Sequence, residues 1–482
     1  MPESVFVKPP DGWVGDVIPF SRGREAQLHY LHARRGPEHG GMSWHRFDTH
    51  DFAHFTDLGE SLPGGTITEP DFNVYTGCIV ASAEVTHAFY TGYNPGLHAE
   101  AQPARQLVMH ATRSSDGDPW LKHPRHTFGA PPGYEPVDFR DPFVFQPVAD
   151  GPWHMLVIAR RDEGADRRRG VILDFVSADL QGWAFEGEFW APNRYVAVEC
   201  PEVFELAGRW YLVYSEFSER FATHYRVGPT PFGPWSVPEC DTLDGRAFYA
   251  AKSLLLNGRR YFAGWIPTRL GESDDGPWEW GGTLATHEAR ALPDGALALR
   301  PPQALLDRFS HRIDVVPSPV IGDWHGRDGG LHASAPDGLA VAVTDDAPSQ
   351  FLLEATIDID PGTTECGIIL RASEDGSEGY LVRLEPRRNR LVFDRWPRLR
   401  TGEAQWQISG DVPFLAELER PIDCTDRRHH IKVIVDGTIC VVYVDHQVAM
   451  STRIYDRREG GVGVFVGEGS TTFSQIGIST TV

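Results

Sequence analysis

The sequence predicts an all-β protein, in which a five-bladed β-propeller over residues 1–308 is followed by a C-terminal β-sandwich over residues 309–482. Two observations carry this prediction. Up to about Leu306, short runs rich in Val, Ile, Phe, Tyr and Trp are broken by turn residues at roughly every 8 to 12 positions, without helical periodicity. These runs also recur as equivalent strands, and about 300 residues of repeating four-stranded units fit about five blades.

The repeat in the first region has two recurring elements. The first is a strand that follows a turn, and the second is a turn that ends on an aromatic residue. The strand occurs at Gln27–His32, Trp153–Ala159, Trp210–Tyr214 and Arg260–Trp265, and the turn occurs at Asp51–Phe55, Ser177–Trp183 and Pro231–Trp235. Because a propeller collects its loops around one central funnel, we expect the functional residues to lie there.

The second region begins at about residue 310, within a segment rich in Pro, Gly and His at Leu306–Gly330. Alternating strands resume, and short turns such as Asp436-Gly437 favour a two-sheet sandwich. Packing support is the favoured role for this domain, and sugar binding is the alternative. The strand runs are Phe351–Ile359, Ile431–Val435 and Cys440–Val444, and the glycines at 461, 463 and 467 are interpreted as a β-turn because their spacing does not fit a phosphate-binding loop.

Composition and charge restrict the possible partners. The chain has 45 Lys and Arg against 67 Asp and Glu, a net charge of −22 that disfavours nucleic acid and anionic membranes. The start lacks a signal-peptide pattern and no run approaches a membrane span, which predicts a soluble, cytoplasmic protein. Neutral small molecules or glycans are therefore the expected ligands, and a homo-oligomer is possible.

Cysteine and histidine spacing gives no sign of a metal centre or a disulfide framework. The six cysteines are far apart without a Cys-x-x-Cys pair, so free thiols are expected. His45, His50 and His54 are close together but lie in a strand-and-turn segment without the helical His-Glu-x-x-His pattern. We therefore predict no metal site.

Three acidic residues stand out because each lies inside an apolar, aromatic strand. They are Asp16 in residues 12–20, Asp141 in residues 139–145 and Glu199 in residues 198–204. A buried charge is costly unless it is paired or functional, and Arg140 is a possible partner for Asp141. The residues alone leave two interpretations open: acceptors that close the blades, or the paired carboxyl groups that cleave a glycosidic bond.

The same segments resemble the signatures of glycoside hydrolase family 32, the invertase, levanase and inulinase family, whose members pair a five-bladed propeller with a C-terminal sandwich. Phe139–Pro142 is similar to the family's Arg-Asp-Pro motif, and Glu199–Pro201 is similar to its Glu-Cys motif. The likeness covers almost the whole chain. It includes Trp44 with Asp51, His54 and Phe55 in the first blade, Phe248–Ala250 and Gly264-Trp265 in the fourth-blade segments, and Val435-Asp436 and Ser451–Tyr455 near the end.

The resemblance implies roles for individual residues. Asp16 would be the ionised nucleophile, Asp141 would stabilise the oxocarbenium-like transition state, and Glu199 would be the protonated general acid/base. Arg140 would orient Asp141, and Cys200 would adjust the pKa of the neighbouring Glu199. Such chemistry requires neither a metal nor an organic cofactor. The residues expected to bind substrate are Trp13, Trp44, Arg140, Cys200, Tyr249 and Trp265.

The first motif departs from the family pattern. The family reads Trp-Met-Asn-Asp-Pro-Asn-Gly, whereas this chain reads Trp-Val-Gly-Asp-Val-Ile-Pro over residues 13–19. Both asparagines, whose amides would contact fructosyl hydroxyls, are missing. The resemblance implies a retaining exo-glycosidase that acts on a short fructofuranoside or a similar furanoside. The alternatives are an inverting enzyme like the arabinofuranosidases of family 43, which has the same propeller, a fructosyl transferase, and a non-catalytic sugar-binding propeller.

Overall fold

The computed structural model describes residues 3–35, 40–97, 105–327, 329–397 and 418–481, and it confirms that the protein is nearly all β. The described helical segments are short: α1 (Gln303–Asp307) and 3₁₀ turns at Pro95–Leu97, Pro124–His126, Asp166–Arg168, Leu270–Glu272 and Pro386–Arg388. None of them is long and apolar enough to cross a membrane. The chain divides into two compact units, Phe6–Pro267 with Trp280–Leu297, and Met1–Val5 with Thr268–Glu279 and Ala298–Val482.

The larger unit is built from antiparallel sheets formed by consecutive strands. The first contains β1 (Trp13–Arg22), β2 (Glu25–Ala33), β3 (Trp44–Thr49) and β4 (Thr56–Leu62). The second contains β5 (Asn73–Ser82), β6 (Val85–Tyr93), β7 (Gln106–Arg113) and β8 (Leu121–Lys122), and the third contains β9 (Tyr134–Phe145), β10 (Trp153–Arg161), β11 (Gly170–Ser177) and β12 (Ala184–Trp190). The fourth contains β13 (Glu199–Leu206), β14 (Arg209–Glu216) and β15 (Ala222–Gly228), and the last contains β16 (Tyr249–Leu256), β17 (Arg259–Arg269), β18 (Trp278–Ala291) and β19 (Leu297–Arg300).

The first strands of these sheets form a closed ring. β1 packs against β5, β5 against β9, β9 against β13, β13 against β16, and β16 against β1. A backbone pairing between Val14 and Gly282 also joins the first sheet to the last. We call β1, β5, β9, β13 and β16 the inner strands. The four strand runs singled out in the sequence lie in β2, β10, β14 and β17, which are second strands of their sheets, so that prediction is confirmed.

Each inner strand has a break in its pairing register with the second strand of its sheet. The breaks fall at residues 14–17, 74–77, 140–143, 199–202 and 249–252. Asp141, Cys200 and Ala250 have positive φ angles there. A β-bulge bends its strand and changes the direction of a side chain, so these breaks turn residues of all the inner strands toward one region.

Apolar clusters fill the space between neighbouring sheets of the larger unit. Ile18 and Trp44 of the first sheet pack with Tyr90 of the second, and a further cluster joins Phe89 of the second sheet to Phe139 of the third. All these side chains are at most 1% exposed. The core therefore holds the inner strands in fixed positions around the ring.

Within the described residues, the smaller unit contains thirteen strands, arranged around the long strand β32. They are β20 (His311–Asp314), β21 (Ser318–Ile321), β22 (Asp323–Arg327), β23 (Gly330–Asp346), β24 (Gln350–Ile359), β25 (Glu365–Ala372), β26 (Gly379–Glu385), β27 (Arg390–Trp396), β28 (Leu418–Pro421), β29 (Arg428–Asp436), β30 (Ile439–Val444), β31 (Val448–Arg453) and β32 (Gly461–Thr480). The first part of β32 pairs with β25 and the last part with β24, while β23 pairs along both.

The interpretation of Gly461, Gly463 and Gly467 as a turn is wrong, because all three lie within β32. Neighbouring backbone approaches the strand closely here. A Cβ at Gly461 would lie 2.2 Å from the carbonyl oxygen of Thr344, and one at Gly463 would lie 2.8 Å from that of Ala342. The glycines are needed for strand packing.

Candidate active site

The bulges of the inner strands surround a pocket of about 260 Å³. The three acidic residues singled out in the sequence all line it, although they come from β1, β9 and β13. Among the described residues, the lining consists of Asp16, Leu31, Met42, Tyr75, Thr76, Gln106, Arg140, Asp141, Glu199 and Trp280. The register breaks thus bring together carboxyl groups that are far apart in the chain.

Asp16 lies at the base of the pocket with a donor on each carboxylate oxygen. The Thr76 hydroxyl donates to Oδ2 at 2.6 Å, and Nε1 of Trp265 donates to Oδ1 at 3.0 Å. Burial and the neighbouring charges of Asp141 and Glu199 nevertheless raise the pKa of Asp16 from 3.8 to about 7, since the two hydrogen bonds offset only part of these effects. Asp16 therefore gains and loses its proton near neutral pH.

Asp141 is fixed by hydrogen bonds with two neighbouring strands, β6 and β13. Its own N–H donates to the Thr91 hydroxyl at 2.8 Å, and the N–H of Cys200 donates to its Oδ2 at 3.0 Å. Burial raises the pKa of this carboxyl, while the nearby guanidinium of Arg140 lowers it. This fixed carboxylate faces the same space as Asp16.

Glu199 is more exposed than Asp141, with 24% of its side chain accessible against 4%. The Tyr249 hydroxyl donates to Oε2 at 2.6 Å, and Nη2 of Arg140 donates to Oε1 at 3.1 Å. Arg140 also pairs with Asp138 at 2.6 Å. Solvent can therefore reach the carboxyl group of Glu199.

Cys200 lies beneath the carboxyl groups as a neutral thiol. Its Sγ is 3.9 Å from Oδ2 of Asp16 and 3.9 Å from Oδ2 of Asp141. Burial, followed by the surrounding negative charge, raises the pKa of the thiol well above its usual value. A thiolate nucleophile does not form in such surroundings.

Lys252 is a buried cation that the sequence reasoning missed. Its ammonium donates to the carbonyl of Gly77 at 2.6 Å and lies 5.5 Å from the centre of the Phe143 ring. Its positive charge lowers the pKa of Asp141. The signal was present, because a lysine within the apolar strand β16 is costly to bury and needs a reason.

The residues expected to bind substrate occupy different places. Of the six, Arg140 lines the pocket, while Trp265, Tyr249 and Cys200 contact the carboxyl groups from behind or from the side. Trp44 is fully buried and donates to the carbonyl of Tyr75, and the cations of Lys8 and Arg35 both lie close to the ring of Trp13. Direct contact of these six residues with a sugar stays a prediction. Thr76, Gln106 and Trp280 line the pocket without having been singled out.

A pocket in which buried carboxyl groups meet, on an all-β fold, is typical of a glycoside hydrolase. The chain belongs to glycosyl hydrolase family 32: residues 6–301 match the family's N-terminal domain and residues 331–480 match its C-terminal domain. It is therefore a glycoside hydrolase of the β-fructofuranosidase-like kind.

Individual relatives are distant. A sucrose-6-phosphate hydrolase of Staphylococcus xylosus is 27% identical over 288 residues, which are 56% of this chain and 56% of the relative. A levanbiose-producing levanase of Bacillus subtilis (strain 168) is 22% identical over 97% of this chain and 88% of its own length.

Two solved structures show the same fold along the chain. A sucrose-6-phosphate hydrolase of Lactobacillus gasseri has a TM-score of 0.75 at 17% identity, covering 99% of this chain and 93% of the other. Fructan 1-exohydrolase IIa of Cichorium intybus has a TM-score of 0.74 at 17% identity, covering 99% of this chain and 97% of the other.

Proposed function

We propose that this protein is a retaining, exo-acting glycosidase of fructofuranosides or closely similar furanosides, with residues 1–308 as a five-bladed propeller and residues 309–482 as a β-sandwich. The meeting of Asp16, Asp141 and Glu199 in one pocket carries the proposal. The closed ring of inner strands supports the propeller, and the sharing of β32 between two groups of strands supports the sandwich.

Each carboxyl group has a role that fits its surroundings. Ionised Asp16 attacks the anomeric carbon, with Thr76 and Trp265 holding its two oxygens in place. Glu199, whose side chain is partly accessible, protonates the leaving oxygen and later takes a proton from the attacking water. Asp141 stabilises the positive charge that develops on the sugar in the transition state.

The pocket favours a neutral sugar. Three carboxyl groups line it against the one cation of Arg140 among the lining residues, and that guanidinium is already paired with Asp138 and Glu199. A dianionic phosphate in the pocket would meet net negative charge. A panel of sucrose, 1-kestose, levanbiose and sucrose 6-phosphate tests this preference, and turnover confined to the phosphorylated sugar would contradict it.

The stereochemistry of the product decides between retention and inversion. A nucleophilic Asp16 requires a separation of about 5–5.5 Å between the two reacting carboxyl groups, whereas a base that activates water requires roughly 6.5–9.5 Å. Retention predicts that the first-formed anomer, followed by proton NMR, keeps its configuration and that added methanol yields a methyl glycoside. An inverted product without methanolysis would favour the family-43-like alternative.

Substitution of the reacting groups tests their roles. We expect Asp16→Asn and Glu199→Gln each to lower kcat by several orders of magnitude while the circular dichroism spectrum stays unchanged. Glu239→Gln, in the loop after β15, is the matched control and should keep wild-type kcat. Product analysis at high sugar concentration separates hydrolysis from fructosyl transfer, and a wild-type protein that binds sugars without turning them over would favour the non-catalytic alternative.

A further inference from the structure

The inner strands supply the pocket unequally. At their bulges β5, β9, β13 and β16 place a large side chain at the carboxyl groups or beside them: Tyr75, Arg140, Glu199 and Tyr249. At the bulge of β1, the residue that precedes Asp16 is Gly15. At position 15, β1 therefore contributes no side chain to the pocket beside Asp16. The family motif has asparagine at this position.

An indole from another strand occupies the space over Gly15. A Cβ built on Gly15 would lie 2.4 Å from Cη2 and 2.9 Å from Cζ2 of Trp280, distances at which one of the groups must move. Trp280 lines the pocket with 42% of its surface exposed, and its ring meets Trp265 edge-on with the centroids 6.0 Å apart. Arg35 donates to the carbonyl of Trp280 at 2.9 Å and helps to fix its backbone.

Trp280 adds an apolar surface to the pocket. Leu31 and Met42 are further apolar residues of the lining, whereas the hydrogen-bonding side chains come from β1, β5, β7, β9 and β13. We call Leu31, Met42 and Trp280 the apolar wall. An indole face binds carbon-bound hydrogens of a sugar well, but it cannot accept or donate the hydrogen bonds that a carboxamide offers to a hydroxyl.

We propose that Trp280 is the specificity-determining residue of this pocket. Over Gly15 it takes the place of a polar side chain, so the site selects furanosides that present carbon-bound hydrogens, not a hydroxyl, to the apolar wall. This inference rests on the proposed furanosidase function and names the substrate class more narrowly. A site without a polar partner at one position tolerates loss of the hydroxyl there, whereas a site built to bind that hydroxyl rejects the deoxy analogue.

The first test removes the indole. Trp280→Ala should lower kcat/KM at least tenfold on the best substrate of the panel, mainly through KM, because the wall binds the sugar similarly before and during reaction. Trp396→Ala is the matched control, since that tryptophan is 49% exposed and lies in the smaller unit. An effect of Trp280→Ala within twofold of wild type would overturn the proposal.

The second test exchanges the two side chains. Gly15→Asn alone should reduce kcat/KM strongly because the new side chain collides with the indole, and Gly15→Asn with Trp280→Gly should recover much of this loss. The recovery measures coupling between the two positions. Additive losses in the double variant would overturn the proposal, provided that melting temperatures show all variants folded.

Deoxy sugars identify which contact the exchange has changed. With a series of monodeoxy fructofuranosides, wild type should hydrolyse one analogue within about twofold of its parent, and the double variant should hydrolyse that same analogue at least tenfold more slowly than its parent. Identical profiles for the two proteins would overturn the proposal. If wild type hydrolyses no furanoside, the proposed function fails. In that case calorimetry of fructose binding still tests the apolar wall: weaker binding in Trp280→Ala would support its role. Unchanged binding, or no binding at all, would overturn the proposal for Trp280.

Discussion

The hydroxyl of Thr76 should set the pH at which the enzyme becomes active. Thr76 is 1% exposed and donates to Oδ2 of Asp16 at 2.6 Å, so Thr76→Val removes a hydrogen bond to a charged group with little change of shape. The Trp265 donor at Oδ1 stays in place. Since Asp16 must be ionised to attack, the loss raises the pKa of Asp16 and moves the acidic limb of the kcat/KM profile to higher pH.

The size of the shift follows from the energy of the hydrogen bond. A hydrogen bond to a charged group contributes about 1.5–3 kcal/mol, and about 1.4 kcal/mol corresponds to one pKa unit. The acidic limb should therefore move from about 7 in wild type by about 1 to 2 units. At pH 7, where half of wild-type Asp16 is ionised, the ionised fraction, and with it kcat/KM, should fall about 5- to 50-fold, and the difference should shrink above pH 9.

The assay is kcat/KM between pH 5 and 10 for wild type and variant. Thr112→Val serves as the matched control, because its hydroxyl pairs with His123 and not with a carboxyl group of the pocket. A loss of the same size at every pH would refute the reasoning, since it would show that Thr76 acts on geometry and not on the charge of Asp16. An unshifted limb with full activity would refute it as well.

Three further predictions concern the charges. Asp16→Asn should raise the free energy of unfolding at pH 8 by up to ~4 kcal/mol. In the folded wild type the pKa of Asp16 is raised from 3.8 to about 7, so stability is lost as the pH rises through 7. Urea denaturation at pH 4 should show no such gain. Burial lowers the pKa of His110 to about 3, so stability should fall by ~1.4 kcal/mol per pH unit below about 6.5, and His110→Asn should remove this slope in urea denaturation. Chelation should leave kcat unchanged, because paired carboxyl groups need no Lewis acid; a loss that calcium restores would contradict this.

The sequence predicted the strands well because a strand signal is local. The apolar runs after turns that marked Gln27–His32 and Trp153–Ala159 depend on neighbouring residues only, and both segments are strands. The glycines of β32 were misread for the same reason. Glycine is required there because the backbone of β23, more than a hundred residues away in the chain, approaches β32 closely. A local sequence pattern does not contain this information.

The site was only partly predictable. Asp16, Asp141 and Glu199 stood out as charges in apolar strands, and the structure brings them together. Trp280 could not be found in this way, because a tryptophan in a strand is usually core and its partner is a glycine 265 positions earlier. The same holds for Thr76, because its importance depends on which inner strand lies opposite, and that is set by closure of the ring. Lys252 did carry a signal, as a charge in an apolar strand, but its position near Asp141 also depends on the ring.

The ring also explains how a single pocket can keep its carboxyl groups while its specificity changes. The three carboxyl groups are each fixed by partners on other inner strands, such as Thr76 for Asp16 and the Cys200 N–H for Asp141. Gly15 has no side chain that could make such a hydrogen bond, and the Trp280 indole packed over it comes from β18. Exchange of a side chain between β1 and β18 therefore changes what the sugar touches without disturbing the bonds that set the charge of Asp16. If Trp280→Ala shifted the acidic limb of kcat/KM as Thr76→Val should, this separation of chemistry from recognition would be wrong.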